Sequence, residues 1–107
     1  MIKLEKIRVT LDHGIYGRPE ADAWGAGGVC VHKLFGRGNS WTVTHVASGR
    51  GMAGKHDSRR TKAGAVMQLE ALIALPIDWT LPAADLEEPM RANCTAIRMA
   101  CGVGRGK

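Results

Sequence analysis

Val29-Cys30-Val31-His32-Lys33-Leu34-Phe35, then Gly36-Arg37-Gly38-Asn39-Ser40, then Trp41-Thr42-Val43-Thr44-His45-Val46 is the stretch on which the fold turns. Two runs rich in β-branched and aromatic residues flank five turn-forming residues, the pattern of an antiparallel hairpin with Arg37 at its tip. Downstream, Ala65, Val66, Leu69, Leu72 and Ile73 recur at helical spacing, whereas Arg60, Gly64, Gln68 and Ala71 fall away from that face. The spacing predicts a helix from about Arg59 to Leu75, capped by Asp57 or Ser58 and stopped by Pro76. Its apolar stripe suits it to cover the hairpin.

Upstream, Ile7, Val9 and Leu11 alternate with Lys6, Arg8 and Thr10 as in a half-buried strand, with Leu4 on the other parity, as at a bulge or an edge. The Gly-rich text from Asp12 to Gly28, broken by Pro19, reads as a long loop carrying Trp24. After Trp79, Pro82 to Glu88 predicts a short acidic helix, and Pro89 a second one ending at Gly102. On the latter, Met90, Cys94, Ile97 and Cys101 share a face. The expected architecture is α+β: about three antiparallel strands packed by one long helix, with a C-terminal helical extension. A single domain is expected over residues 1–101, followed by a flexible basic tail over 102–107.

With 107 residues, an apolar fraction of 45% and a net charge of +5, the chain has the composition of one folded, basic domain. There is no apolar run of 18 residues and no signal-peptide core, so a cytoplasmic protein without membrane contact is expected. Cys30, Cys94 and Cys101 lack zinc-ribbon spacing and read as reduced, mostly buried thiols. Charge is concentrated. Residues 31–62 hold seven bases (Lys33, Arg37, Arg50, Lys55, Arg59, Arg60, Lys62) and one acid, while residues 63–90 hold five acids and no base.

Gly49-Arg50-Gly51-Met52-Ala53-Gly54-Lys55-His56 satisfies G-x-G-x-x-G and approaches a phosphate loop. His56 stands where that loop needs a hydroxyl for Mg²⁺, and the chain is too short for the parallel sheet of a nucleotide-binding domain. An anion site of simpler kind, or a plain loop, is what the glycines allow. His32 and His45 are candidate cross-strand neighbours with Cys30 on the face of His32, but no fourth ligand is identifiable and no metal is expected. His56 beside Asp57 has no accompanying nucleophile. An enzyme is therefore the least expected class, and no cofactor is required.

The basic run is the strongest functional signal. Arg50, Lys55, Arg59, Arg60 and Lys62 span a loop and a helix start near Arg37, and cations at a helix N-terminus oppose its dipole at a cost that a binding role would justify. Trp24 adds a large indole for partner contact. These seven residues are the candidate partner-binding set, and Lys6, Arg8, Thr42 and Thr44 are candidates for a solvent-facing sheet surface directed at a nucleic-acid groove. A hairpin edge could also pair two copies into a homodimer.

The segments Trp41-Thr42-Val43-Thr44-His45-Val46-Ala47-Ser48-Gly49-Arg50, Thr61-Lys62-Ala63-Gly64-Ala65 and Leu75-Pro76-Ile77-Asp78-Trp79 resemble small uncharacterised proteins from the accessory regions of temperate bacteriophages, over residues 29–79. The resemblance implies a protein that occupies a surface on a host complex, such as a CRISPR or restriction defence, transcription or signalling assembly. No site residue carries over with it. Acidic DNA mimicry fits poorly with a basic chain, since only the region from Glu70 to Glu88 has the needed charge. The resulting expectation is a non-enzymatic phage-type protein that binds and modulates or inhibits a host protein or nucleoprotein complex, with direct DNA or RNA binding by the same basic surface as the alternative.

Overall fold

The computed structural model describes residues 3–33, 40–52 and 61–103. Four strands, β1 (Glu5–Thr10), β2 (Glu20–Ala26), β3 (Val29–Lys33) and β4 (Trp41–His45), form one antiparallel sheet in the order β1-β2-β3-β4. Three helices follow: α1 (Lys62–Ile73), α2 (Ala83–Ala92) and α3 (Cys94–Cys101). The α+β class is as expected, with one strand more. Among the described residues, no helix is long and apolar enough to cross a membrane.

The additional strand is β2, which occupies much of what reads in sequence as a loop. Its residues Ala21, Ala23 and Gly25 face one side and are small; a Cβ on Gly25 would lie 3.0 Å from Ile7 Cδ1. Weak strand formers are tolerated here because β1 pairs with β2 along its whole length, from Glu5 opposite Gly25 to Thr10 opposite Glu20. Trp24 is thus a strand residue opposite Val31 and Lys6.

The sheet has two apolar faces. Val29 and Val31 of β3 and Trp41 and Val43 of β4 pack with Ala65, Leu69 and Leu72 of α1, Trp79, Leu86 and Ala100 into the main core. Leu4 packs there too, which explains its parity in the sequence. Val9, Leu11, Ala23 and Cys30 form a second cluster on the opposite face, supported by Ile7, Ala21 and Val46. Register places Thr10 and His45 at opposite ends of the sheet, yet the Asp12 N–H donates to the Gly49 carbonyl at 2.9 Å, just beyond β4. The β1–β2 hairpin therefore coils across the second face, and Thr42 and Thr44 are buried there rather than exposed to solvent as a groove-reading surface.

Several helical boundaries differ from the sequence reading. The N-cap of α1 is Thr61, whose hydroxyl accepts from the Gly64 N–H at 3.1 Å, so α1 starts at Lys62. Asp57, Ser58, Arg59 and Arg60 lie outside the described residues. Because α1 packs against α3 as well as the sheet, its buried surface is wider than one stripe and takes in Gly64 and Gln68. Pro89 lies inside α2, and the break falls instead at Asn93, whose side-chain amide donates to the Pro89 carbonyl at 2.8 Å. In α3 the inward residues are Ile97, Ala100 and Cys101; Cys94 is exposed.

Candidate interaction surface

Of the candidate set, Trp24, Arg50 and Lys62 are described, while Arg37, Lys55, Arg59 and Arg60 lie outside the described residues. Two of the three converge. As the first residue of α1, Lys62 projects back toward the sheet, and its ammonium lies 4.3 Å from the ring centroid of Trp24 and 5.3 Å from that of Trp41. The two indoles are tilted by 49° with centroids 5.7 Å apart. Trp24 is half-buried, held in place by strand pairing, and Trp41 is 9% exposed. A cation over an aromatic face contributes roughly 0.5–1 kcal/mol at an exposed site, enough to order the Lys62 side chain.

Arg50 belongs to a different corner. It follows β4, and its Nε donates to Asp12 Oδ2 at 3.4 Å across the hairpin–turn contact. The Gly14 N–H and then Arg50 hold the Asp12 carboxyl below its ordinary value. Trp41 and His45 mark the two ends of β4, so Lys62 and Arg50 lie toward opposite ends of that strand, on the order of 13 Å apart along it.

His32 and His45 do not meet. His32 lies opposite Thr42 and His45 opposite Val29, which puts the two imidazoles on opposite faces. His32 Nδ1–H donates to the Lys33 carbonyl at 2.9 Å, leaving Nε2 to accept from the Thr44 hydroxyl at 2.7 Å. Burial lowers its pKa from 6.5, with the Lys33 carbonyl opposing and His13 reinforcing the shift. Burial also pushes the Cys30 thiol up to about 12, so that thiol is chemically quiet. No cluster of three or more metal-ligating His, Cys, Asp or Glu side chains occurs among the described residues.

Two further surface features have no counterpart in the sequence reading. The tip of the β1–β2 hairpin exposes Ile15 and Tyr16 at 92% and 84%, in a turn fixed by the Asp12 carboxylate and by backbone bonds among His13, Gly14, Tyr16 and Gly17. A pocket of about 230 Å³ opens between the turn after β4 and α2, lined by His45, Ser48, Arg50, Met52, Trp79 and Leu86 among others. The first was hidden because the hairpin was not legible; the second joins segments more than thirty residues apart.

No protein-family model matches this chain, and no curated protein or solved structure is significantly similar to it.

Proposed function

We propose that this chain is a small phage-type accessory protein that docks on an acidic or nucleic-acid-bearing host assembly and modulates it by occupancy. The observation that carries the reading is the Lys62 ammonium held over Trp24 and Trp41 at the start of α1. An ordered cation beside a partly exposed indole loses little side-chain entropy on binding, and Trp is enriched among residues that dominate interface energies. In sequence, Lys62 directly follows Lys55, Arg59 and Arg60, within a segment of seven bases and one acid. That imbalance also favours a second reading, direct binding of DNA or RNA by the same residues.

Binding to free nucleic acid separates the two. Fluorescence anisotropy of labelled duplex and single-stranded DNA and RNA at about 50 and about 200 mM salt tests the second reading, for which micromolar binding should persist at the higher salt. Replacing Arg50, Arg59, Arg60 and Lys62 with Ala should then flatten the salt slope by roughly one unit per lost phosphate contact. For a protein partner captured from host lysate, Trp24→Ala should cost about 2 kcal/mol or more of affinity. If neither the basic residues nor Trp24 alters binding, the surface is misassigned.

A further inference from the structure

The sequence offers no convergent nucleophile, base and orienter, but the fold assembles one. Ser48 Oγ lies 2.8 Å from His45 Nδ1. On the other side of the ring, Nε2 lies 2.8 Å from the Trp79 carbonyl and 3.1 Å from that of Leu81. Carbonyls only accept, so Nε2 carries the proton and Nδ1 is left as the base, aimed at the Ser48 hydroxyl. The Arg50 N–H donates to Ser48 Oγ at 3.2 Å, leaving the oxygen one further lone pair. His45 is 3% exposed, whereas Ser48 is half-buried and lines the 230 Å³ pocket with it. The pocket is also lined by Arg50, Met52, Trp79, Ala83, Leu86 and Met90.

We propose that Ser48 is a nucleophilic serine activated by His45, and that the pocket accepts a small ester with a short apolar acyl group. Ser48 Oγ forms the bond to the acyl carbon while its proton passes to His45 Nδ1. The ester C–O bond breaks, and the leaving alcohol takes that proton. Water then attacks the acyl-serine, giving one proton to Nδ1; the carboxylic acid departs as Ser48 Oγ is reprotonated. The carbonyls of Trp79 and Leu81 orient the ring and offset the positive charge it acquires, in the role a carboxylate plays in a charged triad. Arg50, which lines the pocket, contributes positive charge on the side of the developing oxyanion. Lys62 and Trp24 take no part in this activity, whereas Arg50 lines the pocket and also belongs to the candidate docking set.

The test is reaction with a fluorophosphonate probe, followed by intact mass and peptide mapping, together with 4-nitrophenyl acetate hydrolysis. The wild-type chain should take one phosphonyl group, on Ser48. Ser48→Ala should take none and lose about 10²-fold or more of the ester turnover. Ala83→Phe, which fills the pocket from the exposed first residue of α2, should slow labelling at least about tenfold with His45 and Ser48 intact. An unlabelled wild type, an adduct mapped elsewhere, labelling that survives Ser48→Ala, or an Ala83→Phe variant labelled at the wild-type rate would each overturn the proposal. The wild-type map and Ala83→Phe decide the matter even if Ser48→Ala is unstable.

Discussion

Gln68 is fully buried on α1, and neither its amide nitrogen nor its amide oxygen has a hydrogen-bond partner among the described residues. An unsatisfied buried amide costs about 1–3 kcal/mol, while its length and volume are close to those of methionine. Gln68→Met should therefore raise stability by about 1 kcal/mol or more, read as a higher denaturant midpoint at unchanged slope. Gly28 shows the opposite constraint. Its φ is +93°, and a Cβ there would overlap the Trp79 carbonyl carbon and oxygen, which are backbone and cannot swing aside. Gly28→Ala should cost about 2 kcal/mol or more, measured in the same way.

At the scale of the element, α1 is anchored by its cap and its neighbours more than by its charge pattern. No acidic residue occupies its first turn, and Lys62 is unfavourable toward the helix dipole there. The contact of Lys62 with Trp24 and Trp41 offsets that cost, while the Thr61 hydroxyl satisfies an N–H that would otherwise have no partner in the helix. Thr61→Ala should lower stability by about 1 kcal/mol and Thr61→Ser should leave it nearly unchanged, a contrast that thermal melts can resolve. The far end of the helix is secured by tertiary structure. Trp79 is 1% exposed, and its indole N–H donates to the Leu72 carbonyl at 2.8 Å, closing a carbonyl near the C-terminus of α1.

For the molecule as a whole, pH acts through His32, which sits between the sheet and its coiled hairpin. Its folded pKa lies below the ordinary 6.5, so below that value the unfolded chain binds more protons than the folded one. Its contribution is fully present above pH 6.5 and is lost as pH falls through the folded pKa. Melting temperature should thus decline as pH falls below 6.5, and His32→Gln should remove this part of the decline. Asp12 and Asp78 are held below 3.8, Asp12 chiefly by the Gly14 N–H and Asp78 chiefly by the Thr80 hydroxyl. Both favour the fold above that value, and their contribution disappears in a second, more acidic phase as pH falls through their folded values.

The sequence by itself determined the α+β class, the pairing of β3 with β4, the helix that covers them and its stop before Pro76. Each rests on short-range periodicity or on a proline, and no distant residue is needed to produce it. Only the tertiary structure decided β2, whose Ala, Gly and Asp residues are poor strand formers, held by β1 on one side and β3 on the other. The alternation of small residues at Ala21, Ala23 and Gly25 is the trace it leaves in the sequence. The same is true of Gln68, buried where α1 meets both the sheet and α3, and of Thr42 and Thr44, covered by a coiled hairpin that local patterning cannot register. The candidate surface was legible as charge, since net charge is a property of composition. The Lys62–Trp24–Trp41 cluster and the His45–Ser48 pair oriented by Trp79 were not, because long-range packing brings residues far apart in the chain within a few ångströms.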